Sequence, residues 1–84
     1  MEKNIFNKEQ IEKVFDEVRR RIEMEVFEAR ADGKPVTLGD IKDLNATMMQ
    51  GVFSTLMVLA DNWTDVVLIF DEIAEERAGW EEEI

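Results

Sequence analysis

The sequence predicts an all-α protein, a small three-helix bundle with two long antiparallel helices and a shorter third, completed by dimerisation. Two segments begin with a capping box and continue with apolar residues three and four positions apart, which is the pattern of a helix with one buried face. The 84 residues include only four Gly and one Pro, so few positions interrupt a helix. A chain of this length is expected to form a single domain, 1–84.

The first helix is predicted over residues 8–31. Asn7 is a suitable N-cap, and Gln10 lies three positions later, where its side chain can return the capping-box hydrogen bond. Gly33 and Pro35 end the helix, because glycine accepts the left-handed conformation beyond a C-cap and proline cannot continue a helix. The apolar residues of its buried face are Ile11, Val14, Phe15, Val18, Ile22, Val26 and Ala29.

The second helix is predicted over residues 38–59. Its start is marked by Thr37 and by Asp40 in the third helical position, which together can form a second capping box. Its first apolar line consists of Ile41, Leu44, Met48, Val52, Leu56 and Leu59.

The third helix is predicted over residues 63–78, ending at Gly79. The run 66–70 taken alone resembles a buried strand, but a lone strand would have no partner, so a helix is favoured. Trp63 is expected to anchor the corner between the second and third helices in the core. The charged segment 80–84 is expected to be a frayed acidic tail, with Trp80 either folding back on the third helix or exposed to a partner.

The composition excludes several classes of function. Twenty acidic against ten basic residues give a net charge of −10 and a pI near 4.3, which argues against direct binding to nucleic acid or anionic lipid. The absence of Cys and His excludes disulfides, thiolate zinc sites and the Ser-His-Asp triad. We therefore expect no catalytic residue, no metal and no cofactor.

The longest uncharged run is also too polar to be a membrane span. It covers the seventeen residues from Leu44 to Ala60, lies between Asp43 and Asp61, and includes several polar side chains, whereas a span needs about twenty predominantly apolar residues. No targeting segment is recognisable, so a cytoplasmic protein with no membrane role is expected.

Charge is distributed unevenly along the chain. Residues 1–34 hold nine acidic and eight basic residues, whereas 35–84 hold eleven acidic residues against Lys42 and Arg77. In the third helix the acidic residues are expected to lack partners, and like charges four residues apart repel. The predicted partner-binding surface consists of Asp61, Asp65, Asp71, Glu72, Glu75 and Glu76.

This acidic surface has two interpretations. Net charge alone can keep a small apolar protein soluble. Alternatively, the surface binds a basic protein, and carboxylates spaced along a helix resemble the phosphates of one nucleic-acid strand. The second interpretation predicts a non-enzymatic inhibitor, of the kind that phages and mobile elements deploy, directed against a nucleic-acid-binding protein.

The second helix carries more apolar surface than its two neighbouring helices are expected to cover. Met49, Phe53 and Met57 form a second apolar line displaced around the helix axis. A chain this short can hardly bury both lines, so this line is predicted to be a homodimer interface. A methionine-rich surface could also bind a different protein.

Two other functions remain open. The chain could be a structural or assembly oligomer, or a small chaperone or adaptor, in which self-association is the function. Alternatively, the pairs Glu25/Glu28 and Asp40/Asp43 could hold Mg²⁺ between helices, as in a helical nucleotide pyrophosphatase.

Overall fold

The computed structural model describes residues 3–84 and confirms the predicted all-α bundle. Its helices are α1 (Lys8–Ala31), α2 (Leu38–Leu59) and α3 (Trp63–Glu76), followed by a short 3₁₀ helix, η1 (Trp80–Glu83). Within residues 3–84 no strand is present. Met1 and Glu2, which begin the predicted domain, lie outside the described residues.

Both predicted capping boxes are formed. The Gln10 backbone N–H donates to Oδ1 of Asn7 at 2.9 Å, and the Asn7 N–H donates to Oε1 of Gln10 at 2.9 Å. At the start of α2 the Asp40 N–H donates to Oγ1 of Thr37 at 3.1 Å, and the Thr37 N–H donates to Oδ2 of Asp40 at 3.0 Å. The hydrogen bonds from Thr37 lower the pKa of the Asp40 carboxyl. Both helices thus begin where local sequence alone places them.

Two glycines adopt the left-handed conformation that ends a helix. Gly33 follows α1 with φ of +78°, as predicted, and Gly79 precedes η1 with φ of +87°. α3 ends at Glu76, two residues before the predicted position, and Arg77 is its C-cap.

The core consists of two clusters that together show that α1 and α2 are antiparallel. Cluster one joins residues near the start of α1 to residues near the end of α2 and on α3, and contains Ile11, Leu56, Ala60, Val66 and Ile73. Cluster two joins the later part of α1 to the start of α2, and contains Val18, Ile22, Val26 and Ile41. Since α2 contributes to both clusters, it links the two ends of the bundle.

The predicted roles of the two tryptophans and of the acidic tail need correction. Trp63 is 58% exposed rather than a core anchor. Trp80 and Ile84 instead pack against cluster two, and the Arg19 guanidinium lies 5.3 Å from the centre of the Trp80 ring. The segment after Gly79 is therefore a packed part of the bundle, because it carries apolar side chains that cover cluster two.

Candidate partner-binding surface

The surface of α3 is divided by the helical period into a buried side and an acidic side. Val66 and Ile73 are fully buried in cluster one. All six acidic residues predicted for the partner-binding surface are exposed, and an exposed leucine, Leu68, lies among them. The six residues are not equivalent, because the structure gives some of them partners within the chain.

Lys8 is shared by two of the six acidic residues. Its Nζ lies 3.0 Å from Oε1 of Glu72 and 2.9 Å from Oε1 of Glu76, so it bridges the start of α1 to the later part of α3. The expectation that the acidic residues of this helix lack partners is therefore wrong for both glutamates. The repulsion between these two glutamates is offset by the Lys8 ammonium, which lies 64 positions before Glu72 and 68 before Glu76 in the sequence.

Asp61 has a structural role in the corner between α2 and α3. Its Oδ2 accepts a hydrogen bond from the Asn4 N–H at 2.8 Å, and its own N–H donates to the Asn4 carbonyl at 2.9 Å. The adjacent Asn62 holds Phe6 in the same way, with bonds of 3.1 Å from the Phe6 N–H and 2.8 Å to the Phe6 carbonyl. This pairing fixes the segment before α1, and sequence reasoning missed it.

Arg77 and Arg19 make further ion pairs between α1 and the second half of the chain. Arg77 pairs with Asp16 and, at 3.5 Å, with Glu12. Arg19 pairs at 2.9 Å with Glu23 on its own helix and at 2.9 Å with Glu83 of η1. Arg19 therefore offsets part of the charge of the acidic half, whereas Arg77 of that half pairs with acidic residues of α1.

Four of the six predicted residues form no ion pair within residues 3–84. Asp61 is one of them and is held by the Asn4 N–H instead, which leaves Asp65, Asp71 and Glu75 without such a partner. Leu68 lies among them and is 66% exposed. We call Asp65, Leu68, Asp71 and Glu75 the outer acidic face. Asp71 and Glu75 are four positions apart, so their Cβ atoms lie about 5–6 Å from each other.

The Lys8 bridge shifts the pKa values of Lys8 and Glu76. The hydrogen bonds that Lys8 donates to Glu76 and Glu72 raise the pKa of Lys8, and the bond that Glu76 accepts from Lys8 lowers the pKa of Glu76. A carboxyl with a lowered pKa stabilises the fold above its ordinary titration range, and this contribution is lost as pH falls through the lowered pKa.

We expect Lys8→Met to raise the pKa of Glu76 toward its ordinary value, because the variant removes the bridging ammonium. A carboxyl ¹³C NMR titration measures this shift. At neutral pH the free energy of unfolding should be larger for wild type than for Lys8→Met. This difference in free energy should vanish as pH falls through the lowered pKa of Glu76. Lys13→Met, which removes the exposed pair with Glu9, is the control and should leave Glu76 unchanged. An unaltered Glu76 titration in Lys8→Met would mean that the bridge does not form in solution.

The apolar line predicted as a dimer interface contacts other parts of its own chain. The Phe53 ring packs edge-on against Phe70, with ring centres 5.0 Å apart. Met57 packs against cluster one and Met49 against cluster two. All three side chains are half-buried. The reason for assigning them to a second copy therefore does not hold, because α3 and η1 cover much of this line.

A cavity of about 330 Å³ lies between the three helices and η1. Phe15, Phe70 and Trp80 line it together with the two arginines, Arg19 and Arg77. Both guanidinium groups already pair with carboxylates, so neither arginine presents an unpaired charge to the cavity.

The acidic pairs considered for Mg²⁺ belong to no larger cluster of acidic side chains within residues 3–84. Among residues 3–84, no group of three or more acidic side chains lies close enough together to hold a metal ion. All four carboxylates of these pairs are exposed: Glu25, Glu28, Asp40 and Asp43.

None of the helices described is long and apolar enough to cross a bilayer.

No protein family, curated protein or solved structure matches the chain.

Proposed function

We propose that this chain is a non-enzymatic interaction protein whose outer acidic face binds a basic surface on another protein. The observation that supports the proposal is the exposure of Asp65, Asp71 and Glu75 without an ion pair in the described part of the chain. The other acidic residues of the predicted surface are already held by Lys8 or by Asn4, so they have less to offer a partner.

A basic partner would relieve an unfavourable interaction that the free protein retains. Asp71 and Glu75 repel each other at four-residue spacing, and no cation within residues 3–84 lies between them. Lysine or arginine side chains of a partner would supply that cation and would also steer association over long range. Leu68 adds an apolar contact in the middle of the charged residues, which supports protein binding over simple solvation.

The partner class that we propose is a nucleic-acid-binding protein. Carboxylates at the i and i+4 positions of a helix resemble the phosphates along one strand, and a surface that binds phosphate is already basic. The protein would then be a small cytoplasmic inhibitor of the type that phages and mobile elements use. Because Glu72 and Glu76 share Lys8 within the chain, the proposed mimicry rests on Asp71 and Glu75 rather than on the whole predicted stripe.

The experiment is affinity capture on immobilised wild-type protein from a lysate of the source cells, at low and at physiological salt. We expect a basic protein that is retained at low salt and eluted as salt rises, because exposed charge pairs are screened. Duplex DNA added to the bound complex should displace this protein if the acidic face occupies its nucleic-acid site. A captured protein that resists both salt and DNA would contradict the proposal.

Self-association is a second candidate function, favoured by the surface area of the chain. The protein exposes 6027 Å², whereas a folded monomer of 9.8 kDa exposes about 5,200 Å². Its radius of gyration is 14.5 Å, against about 12 Å for a compact domain of this length. The chain is thus more elongated than a compact domain, with extents of 51 × 24 × 17 Å, and exposes surface that a second copy would cover.

A further inference from the structure

The exposed side of α2 carries no charge over most of its length. Between Leu44 and Ala60 every exposed residue is uncharged, although 36% of the chain is charged. The exposed residues are Ala46, Thr47, Gln50, Gly51, Ser54, Thr55, Val58 and Leu59. We call this surface the neutral α2 face. At 1.5 Å per residue, the seventeen-residue uncharged run is about 25 Å long.

We propose that the neutral α2 face binds the neutral α2 face of a second copy, forming a symmetric dimer in which two α2 helices pack together. This inference rests on the self-association proposed above and names the surface that performs it. It replaces the line of Met49, Phe53 and Met57, which packs within the chain.

Charge identifies the occupant as a second copy. Two chains of net charge −10 repel each other, and like charges brought together across an interface cost several kcal/mol. The neutral α2 face contains no carboxylate. Two copies that meet through it therefore bring no like charges of this face together. A basic partner gains nothing electrostatic from this surface, since it offers no carboxylate.

The shape of the face also suits a helix from another copy. An apolar groove runs beside it between α1 and α2, with Val14, Met48 and Val52 among its lining residues. A Cβ added at Gly51 would meet nothing within 4 Å, so the centre of the face is open. Val58, toward one end, is 84% exposed and can enter the groove of a second copy.

The test is sedimentation equilibrium of wild type, Gly51→Glu and Met24→Glu from low to high micromolar concentration. Wild type should approach twice the 9.8 kDa monomer mass. Gly51→Glu places two carboxylates near the symmetry axis and should raise the dimer Kd by about tenfold or more. Met24→Glu adds the same charge on the outer side of α1, where Met24 is exposed, and should leave the Kd within about twofold of wild type.

Three further measurements complete the test of the neutral α2 face. Val58→Glu repeats the test at a second position of the face, and circular dichroism shows whether each variant remains helical. Dimerisation should strengthen as salt rises, because screening reduces the repulsion between copies, whereas binding of a basic partner should weaken. A monomeric wild type would overturn both this inference and the proposed self-association. A dimer that Gly51→Glu and Val58→Glu leave intact would overturn only the choice of face, and neither result would affect the binding of a basic partner.

Discussion

Replacing Ile22 with alanine is expected to lower the free energy of unfolding by about 3 kcal/mol, within the range for large-to-small core substitutions. Ile22 is completely buried and contacts the side chains of cluster two, which lies between α1 and α2. A domain of this length has a total stability of roughly 4–12 kcal/mol, so the variant should lose much of its stability. Urea denaturation followed by circular dichroism measures the change.

Phe27→Ala is the matched control on the same helix. Phe27 is a larger side chain than isoleucine but is 74% exposed, so its removal should change stability by less than about 0.5 kcal/mol. Equal losses for Ile22→Ala and Phe27→Ala would mean that α1 does not pack through its predicted apolar face.

Trp80→Ala is expected to lower the free energy of unfolding by about 2 kcal/mol, less than a fully buried tryptophan would because the ring is half-buried. The ring covers cluster two and lies beneath the Arg19 guanidinium, so its loss exposes core residues and removes a cation–π contact. The segment after Gly79 should also become sensitive to proteolysis, because it loses the side chain that holds it.

Trp63→Ala provides the comparison for this second variant. Trp63 is mostly exposed at the start of α3, and its removal should cost less than about 1 kcal/mol. If Trp63→Ala proved the more destabilising of the two, the sequence-based expectation of a core anchor at this corner would be correct and the packing of η1 wrong.

The starts of the helices could be predicted because their causes are local. The capping boxes at Asn7 and Thr37 depend on residues three positions apart, and the turn at Gly33 depends on one residue that tolerates positive φ. The apolar period then selected the buried face of α1, whose four buried residues are all among the predicted positions.

The partners of the acidic residues could not be predicted, because they come from distant parts of the chain. Lys8 reaches Glu72 and Glu76 only after α1 and α3 pack side by side, and no sequence spacing indicates such a pair. The same holds for Arg77 with Asp16. Counting charges along α3 alone therefore overestimated how much of its surface is free for a partner.

The second apolar line of α2 was misjudged for a related reason. A chain this short was expected not to bury both lines by itself, and the segment that forms η1 was expected to be a frayed tail. Once Trp80 packs and Phe70 lies against Phe53, Met49 and Phe53 gain neighbours within the chain. What remains uncovered is the neutral face on the other side of the helix.

The central claim, that the outer acidic face binds a basic partner, is tested most directly by comparing two charge-reversal variants of equal charge. Asp71→Lys/Glu75→Lys changes the outer acidic face, and Glu25→Lys/Glu28→Lys changes two exposed acidic residues of α1; within residues 3–84 none of the four forms an ion pair. The measurement is the Kd of each variant for the basic protein captured by wild type, at physiological salt. We expect the α3 variant to bind about tenfold more weakly or worse and the α1 variant to bind nearly as wild type. Equal weakening by both variants would contradict the claim, because binding would then depend on net charge and not on this face.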